Sequence, residues 1–242
     1  DSSTSRGLGD VYKRQLLTLL FNTGYATPFE AGLKAMEREH YATAFRAWKR
    51  MADDGEAEAQ NNIAYLYERG WGVKQSFTRA IEWYKKAAEQ DSPEALHNLG
   101  MLAFQGYGMV QDYLTAKRYF TDAAALDLSD SHYMLGLIYY QGHGLKKNTA
   151  RAREYFLDAA KLGNAKGQFM TAMMFQSGEG HPGEKSEPLK AFIWGMVSKI
   201  NGYADADSIL NFSKMQLSES VQDKAAQLAS SCLDSSYTRC PA

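Results

Sequence analysis

The sequence predicts an all-α protein made of repeated helix pairs, and three observations carry that prediction. A Gly-x-Gly recurs at Gly70/Gly72, Gly106/Gly108, Gly142/Gly144 and Gly178/Gly180, each 36 residues after the last. Apolar residues before and after each glycine pair follow helical spacing. Small and aromatic residues keep the same register as the glycines: Ala80, Ala116 and Ala152; Trp83, Tyr119 and Tyr155; Tyr84, Phe120 and Phe156. A fixed period of this size is the signature of a stacked repeat architecture.

The first helix of a unit is read from "AEAQNNIAYLYERG", where Ala59, Ile63, Leu66 and Tyr67 share one face. It ends at the first glycine, which accepts a left-handed conformation without a Cβ clash. The second helix is read from "FTRAIEWYKKAAEQ", with Phe77, Ala80, Ile81, Tyr84, Ala87 and Ala88 on one face. Ala64, Gly100, Gly136 and Ala172 recur in mid-helix and predict close approach of a neighbouring helix. The Gly-x-Gly pairs read as turns. No strand precedes them and no Lys-Ser/Thr follows, as a phosphate loop would require. In the fourth copy a three-residue insertion carries the register on to Ala191 and Trp194.

The pattern in "AEAQNNIAYLYERGWGVKQSFTRAIEWYKKAAEQ" and its successors resembles the Sel1-like repeat, a relative of the tetratricopeptide repeat. The resemblance implies a right-handed α-α superhelix, a solenoid whose members are mostly adaptors or scaffolds binding other proteins. It divides the chain into a shortened entry unit (27–56), four repeats (57–92, 93–128, 129–164 and 165–206) and a C-terminal capping helix and tail (207–242). The entry unit keeps Ala44, Trp48 and Ala52 in register but lacks the glycine loop. The fourth copy departs most, with Thr171-Ala172 for Leu-Gly and Gly195-Met196 and Ser198-Lys199 for the aromatic and the Ala pair. Its second helix is expected to pack differently. "LSESVQDKAAQLASSC" reads as the closing helix, started by Ser218, with Val221, Ala225, Leu228 and Ala229 inward.

By analogy with tetratricopeptide arrays, the unpacked face of each first helix lines a concave surface. The candidate partner-binding residues are Asn61, Tyr65, Glu68 and Arg69, then His97, Met101 and Phe104, then Tyr133, Leu137 and Tyr140, then Phe169 and Met173. Two readings stay open: a groove for a protein or peptide, or additional core packed against the next repeat. Aromatics and Met suit an adaptable binding surface.

Composition narrows the alternatives. A net charge of -1 offers no field for nucleic acid. The longest apolar run, "LLTLLF", is too short to span a bilayer. No Ser-x-x-Lys occurs, and His40, His97, His132, His143 and His181 show no metal-ligand spacing. His143 and His181 read as solvated turn residues. The expected protein is a monomeric, non-enzymatic scaffold without cofactor or metal. A cell-wall or polysaccharide-binding module is the alternative, and a penicillin-binding or β-lactamase-like hydrolase a lesser one.

Cys232 and Cys240 are the only cysteines and close a small loop after the last helix. They suit a disulfide better than an underligated zinc site, with two reduced thiols as the other possibility. Such a bond implies an oxidising compartment. "LLTLLFNTGYA" reads as the remnant of a bacterial signal peptide (16–26) cleaved after Ala26, so the protein is expected to be periplasmic or secreted. The preceding Asp10-Val11-Tyr12-Lys13-Arg14-Gln15 translates a transposon mosaic end used in sequencing libraries, so residues 1–15 are read as adapter-derived.

Overall fold

The computed structural model describes residues 27–242, so the adapter and signal-peptide readings lie outside the described residues. The described residues are helical throughout, with no strand. They fall into two compact units, divided at Ala80/Ile81.

In the first unit, α1 (Pro28–Glu37) and α2 (Tyr41–Asp53) form a hairpin followed by α3 (Ala57–Arg69) and the first turn of α4 (Phe77–Ala88). Thr27 starts α1 with a capping box: its hydroxyl accepts from Glu30 N at 3.2 Å, and Glu30 accepts from Thr27 N at 2.9 Å. Pro28 then occupies a position where no backbone donor is needed. Gly32 leaves the space that the Trp48 indole fills, and Trp48 Nε1 donates to Phe29 O at 3.2 Å. Ala44, Trp48 and Ala52 are buried, as their register requires.

The second unit holds the rest of α4 and three helix pairs: α5 (Pro93–Gln105) with α6 (Tyr113–Ala124), α7 (Ser129–Gln141) with α8 (Thr149–Lys161), and α9 (Ala165–Ser177) with α10 (Pro188–Ile200). The recurrent glycines act as expected. A Cβ on Gly100 would come within 2.6 Å of the Phe120 ring, and one on Gly136 within 2.5 Å of Phe156. Both rings are fully buried. In the fourth pair the ring position is Gly195, and Ile209 and Leu210 close against it.

Those two residues belong to α11 (Ala206–Lys214), a helix the sequence reading passed over, having gone from the fourth repeat directly to a closing helix. The closing helix is α12 (Glu219–Asp234), with Ser218 at its N-cap. Ala225 and Ala229 face inward, but Leu228 is 40% exposed and Cys232 completes the buried stripe instead. Positions 225, 229 and 232 follow i, i+4, i+7, and Leu228, at i+3, sits on the margin of that stripe and stays partly open.

All four first helices that precede a glycine pair end in a left-handed glycine, with φ of 71°, 77°, 77° and 77° at Gly70, Gly106, Gly142 and Gly178. Gly106→Ala should therefore lower stability by about 1 kcal/mol, seen as a lower melting temperature. Gly100→Ala should cost about 1–3 kcal/mol by crowding Phe120, measured by denaturant unfolding.

Candidate functional site

The repeat register decides which side chains remain uncovered. On α5 and α7, Leu99, Leu102, Leu135 and Ile138 are buried against the second helices. Met101, Phe104, Tyr133, Leu137 and Tyr140 alternate with them and are half-buried. Met101 and Phe104 lean on the core around Phe120 and Ile138, and Leu137 and Tyr140 on that around Phe156. Tyr133 lies 5.9 Å from the Phe156 ring and Tyr140 6.2 Å from it. On α9, Phe169 is half-buried against Tyr203 at 5.0 Å, while Met173 is 40% exposed. Each side chain thus has one flank on the core and one open.

Of the predicted residues in this unit, His97 is the one drawn away from the open surface. Its Nδ1 lies 2.8 Å from Ser131 Oγ, tying α5 to α7, and its ring packs on Phe120 at 5.3 Å. Ser131 is fully buried, so its hydroxyl is closed to solvent. Burial lowers the His97 pKa, opposed by the nearby Asp130 carboxylate.

In the first unit, Tyr65 meets Trp71 edge-on at 5.6 Å, Trp71 stacks on Tyr41 at 4.5 Å, and the exposed Arg69 lies over the Tyr65 ring at 5.2 Å. Asn61 and Glu68 are half-buried on the same helix. Trp71 and Tyr41 were absent from the predicted set, although their 36-residue register could have placed them there.

Trp71 occupies the middle of a Gly-x-Gly, and the equivalent His143 behaves alike. His143 stacks on Tyr113 at 4.8 Å and meets Phe104 edge-on at 5.2 Å, so this half-buried turn residue also packs on its neighbours. The second glycine then explains itself at Gly72 and Gly144. A Cβ at Gly72 would strike the backbone at Tyr41 and Ala42, and one at Gly144 would sit 2.8 Å from Tyr113 Cβ. The Gly-x-Gly is thus both a turn and a dock onto the second helix of the preceding pair.

Two further links repeat. Gln60, His132 and Gln168 hydrogen-bond the carbonyls of Ala52, Ala124 and Ala160 at 3.1, 3.1 and 3.2 Å. Because a carbonyl only accepts, His132 carries its proton on Nε2, and its buried Nδ1 has no partner. A cation also lies over a ring near the end of three first helices: Arg79 over Tyr67 at 5.5 Å, Arg151 over Tyr139 at 5.5 Å and Lys190 over Phe175 at 5.1 Å. The second repeat has Ala103 and Thr115 at these positions and lacks ring and cation together. Glu187 pairs with Arg153 at 2.8 Å and Lys190 at 2.7 Å. Burial pushes its carboxyl up, but these two cations outweigh burial and hold it below the usual range.

Helix α11 creates two clefts that the sequence reading had no means to place. One, of about 500 Å³, lies between α9 and α11 and is lined by Met173, Gln176, Ser177, Ser208, Ile209 and Phe212. The other, of about 270 Å³, lies between α10 and α11 and is lined by Phe192, Met196, Lys199, Ile200, Leu210 and Lys214 among others. The first continues the line of half-covered residues past Met173. Ala206, Ile209 and Ser213, spaced i, i+3, i+7, form the buried face of α11 and are a weakly apolar signal in the sequence. No group of three His, Cys, Asp or Glu poised for a metal occurs among the described residues. Cys232 and Cys240 are disulfide-bonded, with Cα atoms 4.7 Å apart.

The Sel1 repeat family model matches residues 57–92, 93–128, 129–164 and 165–194. A Sel1 repeat protein from Oxalobacter formigenes is similar at 25% identity and a TM-score of 0.72, over 94% of this chain and 98% of that one. A protective antigen of uropathogenic Escherichia coli displaying an SLR fold is similar at 26% identity and a TM-score of 0.70, over 83% of this chain. This chain covers 44% of that protein, less than half its length. A putative Sel1 repeat protein from Klebsiella pneumoniae, at 23% identity and a TM-score of 0.52 over 77% of this chain and 91% of that one, shares the fold. No curated protein gives a significant match.

The His97 environment has a measurable consequence. A folded-state pKa below the ordinary 6.5 means that the unfolded chain takes up the proton first. The contribution is complete above pH 6.5 and is lost as the pH falls from there toward the folded pKa. Melting temperature should decline from pH 7 toward pH 5, and His97→Asn should flatten that decline.

Proposed function

Because the chain belongs to the Sel1 repeat family, whose repeats generally form non-catalytic protein-interaction modules, we propose that it is a binding scaffold for a protein or peptide partner. The first-helix face of α5, α7 and α9 is the proposed binding surface, with Met101, Phe104, Tyr133, Leu137, Tyr140, Phe169 and Met173 as contact residues. The supporting observation is that large aromatic and apolar side chains here stay half-covered beside neighbours that are fully buried. Water is displaced from that remaining surface when a partner covers it, which favours binding. The Tyr rings add area at low conformational cost, with hydroxyls that stay hydrated or hydrogen-bonded at the rim. Asn61, Tyr65, Glu68 and Arg69 form a separate proposed patch on the first unit, where Arg69 and Trp71 favour a carboxylate-bearing or aromatic partner group.

An oxidising compartment is proposed on the strength of the Cys232–Cys240 bond. Among the described residues no helix is long and apolar enough to cross a membrane. Export through the signal remnant ending at Ala26 is part of the same proposal.

Tyr133→Ala combined with Tyr140→Ala should weaken binding to a partner captured from bacterial envelope extract by at least tenfold, with helicity by circular dichroism retained. Parallel loss of helicity would assign the pair to the core. Thiol titration of the denatured, unreduced protein should find no reactive cysteine; two would refute the bridge and with it the compartment.

A further inference from the structure

The segment after α12 is tied back to α12 by one covalent bond and to α10 by a few polar contacts. Cys232 is fully buried on α12, in the same cluster as Trp194, Ala225 and Ala229, whereas Cys240 is partly buried at its edge. Between them the chain reverses through Ser236 and Tyr237, whose φ values are 49° and 69°. Neither is glycine, so this reversal is conformationally unfavourable and needs outside support. Part of that support is Tyr237. Its backbone N–H donates to Cys232 O at 2.8 Å, its hydroxyl accepts from Asn201 Nδ2 at 2.9 Å, and its ring lies against Gly163, close enough that a Cβ there would sit 3.1 Å away.

The residue after Cys240 makes the contact that matters most. Pro241 O accepts from Trp194 Nε1 at 2.8 Å. Trp194 is fully buried while the tail is seated, so its indole N–H depends on that carbonyl and is shut off from solvent by it. Its acceptor is thus supplied by a residue covalently adjacent to one end of the disulfide. In the register of the repeats Trp194 stands where Tyr155, half-buried, stands one pair earlier. Residues of α12 pack beside it, and the tail caps its N–H.

We propose that the Cys232–Cys240 bond is a reversible clasp: its reduction by a dithiol frees residues 235–242 and uncovers the Trp194 edge of α10. One thiolate of the dithiol attacks Sγ of Cys240, the less buried sulfur, forming a mixed disulfide. The S–S bond breaks, and Cys232 Sγ departs with the electron pair and takes up a proton. The second thiol of the reductant, deprotonated, then displaces Cys240, which is protonated in turn. The dithiol leaves as its own disulfide, having supplied two electrons. Without the cross-link, the short loop must be closed at the expense of chain entropy by the Tyr237 and Pro241 contacts and by the bond from Lys190 Nζ to Ala242 O at 2.6 Å. The released state presents an indole N–H and ring flanked by Lys190 and Asn201, a surface suited to a chain segment offering a backbone carbonyl.

The test reads hydrogen exchange at the indole N–H groups of Trp48, Trp71, Trp83 and Trp194 by NMR in the full chain, with Trp194→Phe for assignment. Dithiothreitol is the reductant, and thiol titration follows opening of the bond. Exchange at Trp194 should accelerate at least tenfold on reduction, while that at Trp48, bonded to Phe29 O, stays unchanged. Cys240→Ser should reproduce the effect without reductant. Unchanged Trp194 exchange in the reduced protein and in Cys240→Ser overturns the clasp, because the tail then stays seated unaided. Equal acceleration at Trp48 overturns it as well, since the loosening is then global. A bond that dithiothreitol fails to open in the folded protein overturns its reversibility.

Discussion

The second unit depends on one steric fit, an aromatic ring laid directly on a helix backbone. Phe120 and Phe156 reach full burial only because Gly100 and Gly136 carry no Cβ at the crossing. Glycine in a helix interior costs about 1 kcal/mol relative to alanine. Complete burial of a Phe side chain contributes roughly 1.5–3 kcal/mol, which offsets that penalty. Close approach within each pair is the outcome. Where the fit is given up, at Gly195, a different element supplies the missing volume: Ile209 and Leu210 of α11.

With the helices of a pair locked, neighbouring pairs join through features that repeat in register. The Gly-x-Gly places its middle residue on a ring at the start of the preceding second helix, as in Trp71 on Tyr41 and His143 on Tyr113. Gln60, His132 and Gln168 donate to carbonyls at the ends of second helices, which also accept from the backbone N–H of Gly55, Asp127 and Gly163. Second-helix sides are consumed by this joining. First-helix residues one position off the core row, such as Leu137 and Tyr140, are left half-covered. The candidate binding face is therefore a product of the packing geometry, and Tyr133 and Tyr140 keep one flank on Phe156 while offering the other.

Much of this was legible in advance for a physical reason. Glycine at a helix end and glycine under a ring are backbone requirements, so they leave an unambiguous mark at Gly106 and Gly100. The pairing of Cys232 with Cys240 was legible as well, because two cysteines eight residues apart have few other uses. Less legible was α11, whose buried face is only Ala206, Ile209 and Ser213, weakly apolar and outside the 36-residue period. Leu228 was misplaced because apolar character was read as burial, while the helix turned Cys232 inward. His143 stands in a turn as expected, but its stacking was not legible, because nothing local shows that Tyr113, thirty positions earlier, lies beneath it.

By itself the sequence determined the helix pairs, their boundaries at left-handed glycines, the ring-on-glycine crossings and the Sel1 repeat identity, all written in local periodicity and steric need. The tertiary structure decided the rest: that Met101 and Tyr133 lie half on the core and half open, that His97 is drawn between helices onto Ser131, that α11 opens clefts beside Met173, and that Pro241 reaches Trp194. Each of these depends on which residues far apart in the chain share a volume. No local pattern records that, because it follows from the summed rotations of helices packed in sequence.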